Sequence, residues 1–292
     1  MKLNPPEAPL YGECLLTVQL SEEECAEGEE DVEFYLLFSG TTQRHLTTTL
    51  RVSHVTLQAV CPAHNRGETV QVKLCQARPG GAIDLVAEEH FQFVQDLALD
   101  MAHFLVRAAA HKGGLRGAML LDECQIPLQE CERLDETLTL ALKHLPLPKG
   151  WSVLGTDITT QLNTERGPHD TLLHFAARQG LRRVALFLLQ QPGGRDALRF
   201  TNKQGHTPAQ LAQKRGHSRL QHLLTDFENS SCSEEKPSRR CFPGGRALIH
   251  HPVLNTYTLT VDSDPGAPPP DLRADVEELQ RLIGSHCREK VS

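Results

Sequence analysis

The sequence predicts an α+β protein: a small antiparallel β-sandwich, then helices, then a stack of repeated helical units. Three observations carry this. Apolar residues alternate with period two through the first ninety residues, the period changes to about 3.6 from Phe91, and a block starting at Thr171 recurs thirty-six residues later at Thr207. The length of 292 residues suggests about two domains, and 39% hydrophobic with 23% charged residues excludes collagen, rods and wholly disordered chains.

In chain order, Leu16, Val18 and Leu20 alternate with Thr17 and Gln19, and Val70, Val72 and Leu74 alternate with Gln71 and Lys73, which puts each set on one face of a sheet. Further short runs rich in β-branched or aromatic residues lie at Val32 to Phe38, Arg44 to Val52, Thr56 to Val60 and Ile83 to Ala87. Turn clusters at Ser39-Gly40, Pro62 to Gly67 and Arg78 to Gly81 separate them, the spacing of a sandwich. The block Cys61-Pro-Ala-His-Asn-Arg-Gly-Glu-Thr-Val-Gln-Val-Lys-Leu resembles a strand pair of immunoglobulin-like TIG folds.

Phe93, Val94, Leu97, Met101, Phe104 and Leu105 share one helical face, with Gly113-Gly114 as the stop. A second helix over Asp135 to Leu145 carries Leu138, Leu142 and Leu145 and ends before Pro146. Trp151, the single tryptophan, is expected to anchor a core.

The repeat reads Thr171-Leu-Leu-His-Phe-Ala-Ala-Arg-Gln-Gly180 and then Gly205-His-Thr-Pro-Ala-Gln-Leu-Ala-Gln-Lys-Arg-Gly216-His, each followed by paired leucines. These segments are identified as two ankyrin repeats. Thr171, and Thr207 with Pro208, start helices; Ala176, Ala177 and Ala212 allow close packing; Gly180 and Gly216 supply left-handed turns. Leu172 stands where proline is usual, Ala209-Gln210 replaces Leu-His, and the extra residues of the stretched period are expected within Pro192 to Arg195. A two-repeat ankyrin stack buries its apolar faces only with a neighbour, so residues 129–162 are expected to cap it.

Ala8-Pro-Leu-Tyr-Gly12, Pro62 to Val70, Trp151-Ser-Val-Leu-Gly155, Leu172 to Arg178 and Pro192 to Leu198 extend the comparison beyond the repeats. Residues 1–226 thereby resemble the N-terminal region of the Lbc-type RhoA guanine-nucleotide exchange factor family, which includes the A-kinase-anchoring Lbc factor and a neuronal RhoGEF. The order of sandwich and repeats is also similar to that of B-cell adaptor scaffolds. In the exchange factors, activity belongs to Dbl-homology and pleckstrin-homology domains. Too little chain follows Leu224 to hold either, so the resemblance implies a chain without exchange activity.

Residues 227–270, rich in Ser, Pro and Gly, read as a disordered linker with one candidate strand at Tyr257 to Val261. Asp271 then caps an amphipathic helix whose apolar face is Leu272, Val276, Leu279, Leu282 and Ile283; it is expected to pack back on the body or to dimerise. Asp275 and Gln280 interrupt the paired aliphatics that a kinase-docking helix needs. The chain therefore divides into a β-sandwich at 8–92, a helical connector and ankyrin cap at 93–162, two ankyrin repeats at 163–226, the linker at 227–270 and a helix at 271–290.

The net charge of −7 is unevenly distributed. Residues 1–100 hold 6 Lys and Arg against 16 Asp and Glu, with Glu22, Glu23, Glu24, Glu27, Glu29, Glu30 and Asp31 in one solvated run, whereas residues 163–226 hold 10 against 4. No phosphate loop, zinc-protease motif, nucleophile elbow or paired Cys-x-x-Cys occurs, and Cys61, His64 and Cys75 lack a fourth zinc ligand. His174 is expected to bond within its own repeat turn, and His169-Asp170 to be a solvated loop. The nine cysteines are scattered and read as reduced thiols, and no apolar stretch reaches the ~18 residues of a membrane span. The expectation is a cytoplasmic, non-catalytic protein-interaction or scaffold module without cofactor, metal, nucleic acid or transmembrane segment, working in Rho GTPase signalling. The other reading is an autoregulatory or localising part of an exchange factor. Arg178, Lys203, Gln204, His206, Lys214 and Arg215 form the candidate binding surface, suited to an acidic segment of a protein partner or to the chain's own acidic N-terminal domain.

Overall fold

The computed structural model describes residues 1–21, 32–78, 83–110, 128–154, 169–229, 239–263 and 271–289. It is α+β and separates into two compact units, one of residues 1–95 with 235–292 and one of residues 96–234. The acidic run lies outside the described residues, as does Gly113-Gly114.

The first unit contains β1 (Lys2–Asn4), β2 (Glu7–Pro9), β3 (Leu15–Gln19), β4 (Glu33–Ser39), β5 (Gln43–Thr48), β6 (Leu50–Ser53), β7 (Thr56–Val60), β8 (Glu68–Ala77) and β9 (Ile83–Val94). To these the end of the chain adds β10 (Arg239–Phe242), β11 (Arg246–His251), β12 (Thr256–Asp262) and α8 (Leu272–Glu289). One sheet has the order β1-β3-β7-β6 and the other β10-β11-β12-β5-β4-β8-β9-β2. All pairings are antiparallel except β2 on β9. The chain changes sheet between β1 and β2, β2 and β3, β3 and β4, β5 and β6, and β7 and β8, and the change at Thr49 divides the run Arg44 to Val52 into two strands. The Thr49 amide and hydroxyl both donate to the Phe34 carbonyl, at 3.2 and 3.0 Å, and fix the crossing from β5 to β6.

The period-two sets are buried as their alternation requires: Leu16, Val18, Leu57 and Ala59 in the small sheet, Val70, Val72 and Leu74 in the large one. β4 departs from alternation, because Phe34, Leu36 and Phe38 on one face and Tyr35 and Leu37 on the other are all buried. A strand buried on both faces needs a layer on each. On the outer face that layer is α8, whose Val276, Leu279 and Leu282 pack with Tyr35, Leu37, Leu46, Cys75, Leu248, Tyr257 and Leu259. Asp271 caps α8 by accepting from the Arg273 amide at 3.1 Å. Asp275 pairs with Arg44 at 2.9 Å and Gln280 donates to Tyr35 Oη and Glu33, so the two polar interruptions of the helix face meet polar partners on the sheet.

Two expectations are corrected here. Residues 239–262, grouped by composition with a linker, form three strands that extend the sheet from β5, in the register Leu259↔Leu46 and Thr260↔His45. Gly244 and Gly245, both at positive φ, turn β10 into β11 instead of loosening the chain. Phe93 and Val94, expected on a helix, close β9, where the Phe93 ring stacks on His64 at 4.6 Å.

The second unit holds α1 (Leu97–Ala110), α2 (Leu128–His144), α3 (Leu172–Gln179), α4 (Arg182–Leu189), α5 (Gly194–Arg199), α6 (Pro208–Lys214) and α7 (Ser218–Asn229). α1 buries Ala98, Leu99, Ala102, Leu105 and Val106, while Leu97 and Phe104, expected inside, are exposed, because the packed stripe is centred one position further along the chain. Trp151 is buried and its indole N–H donates to the Val106 carbonyl at 3.1 Å. α3 with α4, and α6 with α7, are two helix pairs packed in series, and α2 lies against α4. α4 has no cap of its own. Asp135 of α2 supplies one, accepting from the Arg183 and Val184 amides at 2.8 and 2.9 Å. Burial pushes the Asp135 carboxyl above its usual range even with those amides aimed at it. Asp135→Ala strips both acceptors from the start of α4, and is expected to lower stability by about 2 kcal/mol, read as a reduced denaturation midpoint.

The start signals hold in detail. Thr171 and Thr207 each cap a helix in a reciprocal box, with His174 and Gln210 respectively at the third helical position. Gly180 and Gly216 take φ of 74° and 81°. The residues that stretch the repeat continue beyond Arg195 into the one short helix α5, which opens on Gly193 at φ 75°.

Candidate functional site

The turn Asn202–Thr207 is built by one buried side chain. The Asn202 carboxamide oxygen accepts from the Gln204 and His206 amides at 3.0 Å each, its amide group donates to Asp170 at 3.2 Å, and Gly205 at φ 77° closes the loop. His174 ties this turn to the preceding pair. With Nε2 donating to the His206 carbonyl at 3.1 Å, Nδ1 is left to accept from Thr171, at 3.2 Å from its amide and 2.9 Å from its hydroxyl. The ring thus bonds beyond its own turn, and burial holds its pKa below the usual histidine value. Gln210, at the equivalent position, performs the cap, its side-chain oxygen accepting from Thr207. His169 and Asp170 are not the solvated loop expected: the His169 ring meets Phe200 edge-on at 5.1 Å, and Asp170 also lies 3.6 Å from the Arg178 guanidinium.

The six candidate binding residues therefore fall into three places. Lys203 and Gln204 are exposed on the turn tip, and His206 is half-buried beside them with a buried Nδ1 that has no hydrogen-bond partner. Lys214 and Arg215 are exposed at the far end of α6, a helix of seven residues and so about 10 Å long. Arg178 is half-buried against Asp170. Lys203 and Lys214 thus bracket α6, and Arg178 serves the interior of the pair.

The first unit holds a polar chain that sequence spacing did not reveal. His45 on β5 and His64, in the segment after β7, are both buried, with His45 Nε2 2.9 Å from His64 Nδ1. His64 Nε2 lies 2.9 Å from Glu68 Oε1, and His45 Nδ1 lies 3.0 Å from the Thr260 hydroxyl. With both rings neutral, every proton has one place: Thr260 donates to His45, His45 to His64, and His64 to Glu68. Burial, then the neighbouring His64, pushes the His45 pKa down to about 3. Burial alone would raise the Glu68 carboxyl, but hydrogen bonds from His64 and Thr41 outweigh it and hold the group below its usual value. Cys75 lies apart from this chain, in the cluster under α8, so the Cys61, His64 and Cys75 set does not converge. Among the described residues no three His, Cys, Asp or Glu side chains are placed to hold a metal, and no helix is long and apolar enough to cross a membrane.

No family model matches the chain, and no solved structure does. Among curated proteins it is similar to Rho guanine nucleotide exchange factors. Rho guanine nucleotide exchange factor 28 of Homo sapiens is 34% identical over 228 residues, 78% of this chain and 13% of the relative; that of Mus musculus is 34% identical over 262 residues, 90% of this chain and 15% of the relative. The chain thus spans 13–15% of the length of these curated relatives. The human B-cell scaffold protein with ankyrin repeats is 36% identical over 105 residues, 36% of this chain and 13% of the relative.

Proposed function

We propose that the chain is a non-catalytic protein-interaction module of Rho GTPase signalling, cytoplasmic and equivalent to the N-terminal region of an Lbc-type exchange factor. In this reading the first unit is an immunoglobulin-like sandwich and the two helix pairs are ankyrin repeats. The Asn202 turn, the threonine-started helices and the Gly180 and Gly216 breaks support the second assignment. The similarity to Rho guanine nucleotide exchange factor 28 over most of this chain supports the link to Rho signalling.

The single observation that carries a binding site is the pair of exposed basic positions on either side of α6, Lys203 on the turn that precedes it and Lys214 at its last residue, in a segment with 10 basic against 4 acidic residues. Their partner is an acidic protein segment. Lys203→Glu with Lys214→Glu is expected to weaken capture of that partner at least tenfold at low salt, with the difference shrinking as salt rises. Equal capture by both proteins at every salt concentration contradicts the assignment. A second reading follows from the small fraction of the relatives that the chain spans: the module regulates or localises an exchange factor whose activity resides in other domains. Addition of the chain to an exchange assay of such a factor separates the two, since only a regulator changes the rate.

A further inference from the structure

The ladder of the small sheet runs one residue past β3 and β7 and brings two cysteines together. Leu15 pairs with Val60, so Cys14 stands opposite Cys61, and the Cys61 amide donates to the Cys14 carbonyl at 2.8 Å. The next bond comes from Glu13, whose amide donates to the Cys61 carbonyl at 2.9 Å. Glu13 and Cys14 together therefore oppose one residue, a β-bulge, with Gly12 and Glu13 at φ 59° and 61°. Only glycine fits at 12, because a side chain there would run into the Pro62 carbonyl. Cys61 is buried with its thiol 3.7 Å from the Pro62 carbonyl, to which it donates, and Cys14 is partly open to solvent. Cross-strand Cβ atoms in a regular ladder lie about 4.5–5.5 Å apart and a disulfide needs about 3.5–4.5 Å, so opposed cysteines need only a small approach to bridge.

We propose that Cys14 and Cys61 are a redox-active dithiol that closes to a disulfide on reaction with hydrogen peroxide. The Cys14 thiolate attacks one peroxide oxygen, the O–O bond breaks, and the leaving oxygen takes up a proton as water, so that Cys14 becomes a sulfenic acid. Cys61 sulfur then attacks Cys14 sulfur, the S–O bond breaks, and the hydroxyl leaves as water with the Cys61 proton. Two thiols are oxidised and one peroxide is reduced to two waters. The two positions suit the two roles. Cys14 is the reachable one, and the neighbouring Cys61 thiol holds it below the ordinary value, while the Cys14 neighbour and burial raise Cys61. Cys75, buried under α8, and the exposed Cys241 have no such opposed thiol among the described residues.

The test treats the full chain with hydrogen peroxide at a dose that oxidises Cys241, then alkylates the remaining thiols and maps them by mass spectrometry. A Cys14–Cys61 cross-linked peptide is expected, lost on addition of dithiothreitol. Cys61→Ser is expected to leave Cys14 as a sulfenic acid trapped by dimedone, and Cys14→Ser to leave Cys61 alkylated in the unfolded digest. Full alkylation of both cysteines in the unsubstituted protein, or Cys14 paired at random with other cysteines, overturns the proposal.

Discussion

Removal of residues 235–292 is expected to unfold the N-terminal sheet unit, although everything removed follows the repeats in sequence. The truncation opens the β5 edge to solvent and uncovers Tyr35, Leu37, Leu46 and Cys75. Burial of a Val or Leu side chain stabilises by about 1.5–3 kcal/mol. Val276, Leu279 and Leu282 together therefore contribute about 5–9 kcal/mol, against a usual domain stability of about 5–15 kcal/mol. The shortened chain is expected to aggregate through the freed edge. In the full-length chain, Leu279→Asp places a charge at a fully buried position and is expected to cost at least about 4 kcal/mol. Hydrogen exchange reads both: amides of β4 and β5 lose protection in the truncated and substituted chains while those of α3 and α6 keep it.

Acid destabilises the first unit through its buried His45. Folding holds His45 neutral by depressing its pKa from 6.5 to about 3, so the unfolded chain binds the extra proton between those values. The stabilisation is complete above pH 6.5 and is lost as pH falls, at about 1.4 kcal/mol per unit. From pH 6.5 to 5 the loss is about 2 kcal/mol. Protonated His45 also has a donor at each ring nitrogen, so it keeps its bond to His64 while the Thr260 hydroxyl must turn from donor to acceptor. His45→Gln removes the titration and is expected to flatten the slope of unfolding free energy between pH 6.5 and 5. An unchanged slope places the titrating group elsewhere.

Local chemistry was legible wherever one residue type does one job. The alternation of Leu16 and Val18, the capping threonines 171 and 207, and the left-handed Gly180 and Gly216 each act within a few residues of chain, so the pattern and the structure coincide. Of the C-terminal strands β12 was legible at Tyr257 to Val261, but β10 and β11 were hidden for the opposite reason. Their flanking Ser, Pro and Gly look like a linker, and their apolar residues become a face only beside β5, about two hundred residues earlier in the chain. Two signals were nonetheless present: the Gly244-Gly245 turn between polar-apolar runs, and Asp275 and Gln280, whose interruption of the helix face implied polar partners on the surface it covers. Of the candidate site, exposure of Lys203 and Lys214 followed from their positions in the repeat. The engagement of Arg178 by Asp170 did not, since the acidic partner precedes the helix on which Arg178 lies. The His45–His64 pair was invisible because His64 was read only with Cys61 and Cys75 and His45 with no motif, and only the fold of β5 against the segment after β7 joins them.

The helix pairs are expected to receive an acidic protein segment around α6. Amide chemical shifts of the full chain, recorded while a glutamate-rich peptide is titrated in at about 50 mM and then about 300 mM salt, test it most directly. Saturable shifts at Lys203 to His206 and Lys214 to His217, weakened at the higher salt, are the predicted result. Shifts confined to other segments, or none at the lower salt, contradict it.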